Sequence, residues 1–125
     1  TYYNIYIIHI YMIIRKYNKK YKKTLNDPKN VWFIWFYRDT CIFCEPIHPI
    51  WNKLEKYVRK EGIRINLAKI ESKYISEDML GFNPNITGVP TFMVRYYKNN
   101  KAINKIKDNR DLESFIKIVK KYGLK

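Results

Sequence analysis

Apolar residues recur along this chain in blocks, and their spacing changes from block to block. From Ile10 the apolar positions are Ile10, Ile13, Ile14, Tyr17, Tyr21 and Leu25, with Asn18, Lys19, Lys20, Lys22 and Lys23 between them. Steps of three and four predict a helix with a lysine-rich outer face. Just upstream, NIYIIHI (4–10) is dense in β-branched and aromatic residues and predicts a buried strand. A single continuous helix from Tyr2 fits the same spacing and stands as the alternative. Asn26-Asp27-Pro28 ends the first helix by turn chemistry. VWFIWFY (31–37) is wholly apolar and aromatic without alternation, the pattern of a central strand covered on both faces.

The second half is as regular. Ile47, Ile50, Trp51, Leu54 and Val58 mark one face of a helix closed by Gly62. Ile63, Ile65 and Leu67 alternate with Arg64, Asn66 and Ala68 and predict a strand. Residues 72–86 read as loop with a short helix in which Ser76 caps Met79. TFMVRYY (91–97) predicts a strand, and Asn99-Asn100 the turn of a hairpin returning over 102–106. Leu112, Phe115, Ile116 and Val119 build a last helix, with Asn109 as its expected cap and Gly123 its stop. Helices between strands imply parallel pairing, and the tight turn implies one antiparallel pair. One domain is expected, with an N-terminal strand and helix over 1–29 joined to a core over 30–125.

Charge changes this picture little. The formal net charge is +14. An anionic partner, nucleic acid or a membrane surface, is one reading. The other is codon bias, because Lys, Ile, Asn and Tyr make up about half of the sequence and share AT-rich codons. The opening TYYNIYIIHIYMII is uncharged apart from His9, but a membrane span needs about 20 apolar residues. A membrane tether would therefore need residues upstream of 15 to be the remnant of a longer anchor. Cytoplasmic, secretory-compartment and virion addresses all stay open.

The chemistry concentrates in CIFC. Cys41 and Cys44 are the only two cysteines of the chain. Two are too few for a disulfide scaffold, and a structural zinc site needs four ligands. His48 lies within ligand reach of Cys44, so a metal shared with another chain is a minor reading. A surface position on the helix is the simpler one. The pair sits between a buried strand and a helix start, where free N–H groups and the peptide dipole favour a thiolate. Cys41, nearest those N–H groups, is the expected nucleophile and Cys44 the resolving thiol. Neither metal nor cofactor is expected at the pair. With no nicotinamide or flavin fingerprint in the sequence, an external electron donor or acceptor must recharge it.

Together, WFYRDTC, the CxxC, Pro49 five residues after Cys44, Lys69 in LAKIE, and Pro90 in GVPTF give a sequence that resembles the thioredoxin superfamily over roughly residues 30–122. The resemblance implies a three-layer thioredoxin-like α/β fold with a central mixed sheet flanked by helices. It implies a thiol–disulfide oxidoreductase acting on protein thiols or disulfides, a cis Pro90, and Val89 presenting backbone groups to an extended substrate. Departures are also specific. Trp35 stands where many relatives carry a buried acid, and Thr40 where they carry Trp. Glu45 is the nearest substitute acid, although its expected direction is towards solvent. Ile42 and Phe43 bring no charge to tune the thiolate and are expected to give the substrate an apolar contact. The helix start favours an oxidising disulfide, whereas Ile42, Phe43 and Trp35 disfavour charge. The balance predicts an intermediate potential and disulfide exchange rather than dedicated reduction. The rival class is a basic nucleic-acid or anionic-surface module on the same scaffold, using the runs at 15–23 and 98–107.

Overall fold

Six consecutive large residues make strand β2, Trp32–Tyr37, the centre of the molecule. Alternate side chains of a strand point to opposite faces, so an unbroken apolar run needs cover on both sides. Phe33 and Trp35 enter one buried cluster, and Trp32, Ile34 and Phe36 enter another. The computed structural model describes residues 11–124. The strand expected at 4–10, with His9, lies outside them.

Among the described residues the sheet has five strands in the order β1-β3-β2-β4-β5. They are β1 (Ile13–Ile14), β2, β3 (Asn66–Glu71), β4 (Thr91–Lys98) and β5 (Lys101–Lys107). β3 runs parallel to both β1 and β2, while β4 is antiparallel to β2 and to β5. Two long helices, α2 (Ile47–Glu61) and α4 (Leu112–Tyr122), send Trp51, Leu54, Val58, Phe115 and Val119 into the cluster that holds Phe33 and Trp35. The opposite face is covered by two single-turn helices, α1 (Lys22–Leu25) and α3 (Glu77–Leu80), through Leu25 and Leu80. The result is the expected three-layer α/β architecture.

Over the described residues 11–25 the expected helix is not there. The chain forms β1, a 3-10 turn at Lys19–Tyr21 capped by the Asn18 side chain, and then α1. Ile14, Tyr17 and Leu25 are buried as the spacing anticipated. Yet Ile13 and Ile14 point to opposite sheet faces, one into each cluster. The free edge of β3 decides this: the Leu67 N–H donates to the Met12 carbonyl at 2.8 Å, and the Met12 N–H donates to Asn66 Oδ1. Inter-strand pairing at an open edge outweighs a weak local preference for helix. The expected alternation at Ile63, Ile65 and Leu67 did place all three against one layer, but regular pairing starts only at Asn66. The cap of α4 is Asp111, whose carboxylate accepts the Ser114 N–H at 2.8 Å, in place of Asn109.

Candidate functional site

The two expected motifs meet at one end of the sheet. β2 ends at Tyr37, and the chain turns through Arg38, Asp39 and Thr40 to Cys41. β4 starts at Thr91, directly after the Val89–Pro90 peptide bond, which is cis. Thr91 pairs with Phe36 and Phe92 with Trp35. Register alone therefore brings the loop before β4 beside the turn that follows β2.

Residues 41–46 do not yet form regular α-helix. They run as tight turns, with Cys44 N–H donating to the Cys41 carbonyl at 3.1 Å and Ile47 N–H to the Cys44 carbonyl at 3.0 Å. Pro46 caps α2 and Pro49 falls in its first turn, where a missing N–H leaves no helical bond unmade. Both cysteines are free thiols. Cys41 keeps 5% of its surface exposed and Cys44 none. Ile42 and Phe43 project between them, 76% and 67% exposed.

The sulfurs are electrostatically unequal. Burial raises the Cys41 pKa, but the Cys44 thiol and the Cys44 and Phe43 N–H groups donate to its sulfur. With the Arg38 cation added, the net shift is downward. Cys44 is pushed up to about 11, first by burial, then because its own S–H is spent on Cys41. A lowered thiol beside a raised one is the arrangement in which the outer sulfur attacks and the inner one waits.

Trp35 is fully buried, with no hydrogen-bond partner for its indole N–H. It packs against Trp51, with ring centroids 5.7 Å apart, and against His48 at 4.7 Å. Polar groups around it arrive from other elements. Lys69 Nζ on β3 lies 2.9 Å from His48 Nδ1 and 5.0 Å from the centre of the Trp35 ring. Burial lowers the His48 pKa, and the Lys69 cation lowers it further. Lys69 is itself lowered, mainly by burial, with Glu55 acting against that shift. Glu55 on α2 is buried and accepts a bond from Arg15 Nε at 2.8 Å. His48 is therefore half-buried against the aromatic layer rather than the surface residue expected from its spacing. Its signal in the sequence was its position, one helical turn after Cys44. Glu45 is exposed, as expected. Among the described residues no helix is long and apolar enough to cross a membrane.

This fold, with a CxxC turn after the central strand and a cis proline before β4, defines a class of protein, and comparison with known proteins gives the same class. The thioredoxin family model matches residues 12–121, and the chain belongs to that family. It is 24% identical over 94 residues to a thioredoxin domain-containing protein 5 homolog of Drosophila melanogaster, covering 75% of this chain and 22% of that protein. It is 28% identical over 79 residues to protein disulfide-isomerase TMX3 of Xenopus laevis, covering 63% of this chain and 17% of that protein. The chain thus spans about a fifth of the length of these relatives. Among solved structures it is similar to the first two thioredoxin domains of Naumovozyma dairenensis Eps1p, with a TM-score of 0.61 and 26% identity over 79% of this chain and 37% of that one.

Proposed function

We propose that this domain is a protein thiol–disulfide oxidoreductase in which Cys41 is the nucleophile and Cys44 the resolving thiol. One observation carries the reading: two cysteines seated unequally at CxxC spacing, Cys41 with 5% of its surface still exposed and Cys44 with none, an asymmetry that agrees with a lowered Cys41 pKa and a raised Cys44 pKa. The Cys41 thiolate attacks one sulfur of a substrate disulfide. A Cys41–substrate bond forms, the substrate bond breaks, and the leaving sulfur takes the electron pair and a proton from solvent. Cys44 then loses its proton and attacks Cys41, forming the intramolecular disulfide and releasing the second substrate thiolate. The substrate is reduced and the pair oxidised; run backwards, the same steps form a substrate disulfide. Val89 offers backbone groups to an extended substrate segment, and Ile42 and Phe43 offer an apolar contact. An external dithiol or disulfide partner resets the pair.

Cys44→Ser should accumulate mixed disulfides through Cys41 that survive denaturing, non-reducing electrophoresis. Cys41→Ser should accumulate none. Trapping by the Cys41 variant alone would reverse the two roles, and trapping by neither would remove the reading.

A further inference from the structure

Arg38 is a cation without a carboxylate partner among the described residues, set between the thiols and a groove. Its carbonyl accepts the Cys41 N–H at 3.1 Å, which fixes it against the reactive residue. Its side chain lines a groove of about 230 Å3 whose other walls include Ser72, Ile75, Ile86, Thr87 and Val89. Arg38 is the one formally charged residue lining that groove. Among the described residues the ion pairs are Arg15–Glu55, Lys19–Asp78 and Lys117–Glu113, so no described carboxylate is within ion-pair distance of the guanidinium. Asp39, its neighbour in sequence, lines a separate groove with Tyr37, Glu71 and Lys73.

We infer that Arg38 is a specificity residue, and that the preferred substrates are extended peptide segments with an Asp or Glu side chain close to the disulfide cysteine. The inference rests on the redox reading above and names its substrate class. A disulfide held at Cys41 brings the residues flanking its cysteine over the groove. An aliphatic side chain there meets Ile75, Ile86 and Val89, and a carboxylate meets the guanidinium fork, which matches it with two parallel hydrogen bonds. A lysine in the same place meets a like charge. Arg38 takes no part in bond making; it selects what is presented to Cys41.

The test uses three disulfide-linked peptides, identical except for Glu, Gln or Lys two residues from the cysteine. The second-order rate constant for oxidation of the reduced full chain is measured for each at low salt. The wild-type chain should prefer Glu over Lys by about fivefold or more, with Gln between. Arg38→Glu should reverse the order and Arg38→Gln flatten it. Lys101→Glu, at the β4–β5 hairpin, changes net charge as much as Arg38→Glu and should keep the wild-type order. Ratios within one variant cancel any effect of Arg38 on the Cys41 thiolate. Equal constants for the wild-type chain, or a reversal by Lys101→Glu as well, would overturn the inference while leaving the redox reading intact. Failure of all three peptides to react would overturn the redox reading itself.

Discussion

An indole at position 35 changes which residues handle charge beneath the CxxC turn. Trp35 offers no proton acceptor, and the titratable groups packed around it are His48 from α2 and Lys69 from β3, with Tyr37, Asp39 and Glu55 nearby. The His48 imidazolium is penalised by burial and by the Lys69 cation, so its pKa is depressed in the folded chain. The unfolded chain, with histidine near its ordinary value of about 6.5, takes up the proton first. Stability linked to His48 is then complete above that value and is lost as pH falls through it towards the depressed folded value. The urea midpoint of the wild-type chain should fall between about pH 7 and pH 5, and His48→Phe should flatten that part of the curve. Parallel curves for the two proteins would show that His48 titrates as a free surface residue. The burial of Trp35 was legible in its apolar run, but the sequence could not show that Lys69 reaches back across the sheet to the helix.

At the scale of elements, spacing was a sound guide wherever an element buried one stripe or two faces. β2, α2 and the β4–β5 hairpin stand within a residue of their expected bounds, and Asn99 and Asn100 take the positive φ values of 53° and 64° that the turn requires. Ser76 caps α3 through the Met79 N–H at 3.2 Å, as read from the sequence. Ends and edges were less legible. Asn109 and Asp111 are equally good caps by residue type, and only the packing of Leu112 and Phe115 on the sheet decides where α4 begins. Asp111→Ala should lower the melting temperature by a few degrees, whereas Asn109→Ala should leave it unchanged. The reverse result would move the cap back to Asn109.

For the molecule as a whole, the sheet order separates the two basic runs. Residues 15–23 follow β1 at one edge, and 98–107 make up the hairpin and β5 at the other. A strand dense in lysine at a sheet edge also discourages pairing with another chain, so the charge of β5 has a structural use without nucleic acid. The potential of the CxxC pair likewise belongs to the whole fold, since it sets the thiolate-favouring turn at Cys41 against the apolar layer sealing Cys44. Equilibrated in glutathione buffers, the domain should titrate between a reducing thioredoxin at about −270 mV and a strongly oxidising dithiol pair at about −120 mV. A value near the reducing limit would make it a dedicated reductant and remove the proposed disulfide exchange.

Residue order alone determined the parts that depend on local composition and short-range geometry: the doubly covered β2, the amphipathic α2 and α4, the Asn-Asn turn, the CxxC between β2 and α2 and the proline before β4. These are legible because side-chain period and backbone preference act within a few residues. Tertiary structure decided whatever required a partner distant in sequence. The edge of β3 turned an expected helix into β1. Arg95, one residue of an expected strand, became a buried clasp that donates to the Leu25 carbonyl at 3.3 Å, Asn26 Oδ1 at 2.6 Å and Asn104 Oδ1 at 2.9 Å. The register of β4 on β2 brought the loop before β4 to the turn after β2, so that Val89 and Arg38 line one groove that no stretch of sequence contains. In each case a hydrogen bond or packed surface formed across the fold outweighs a preference of a few tenths of a kcal/mol per residue in the local chain.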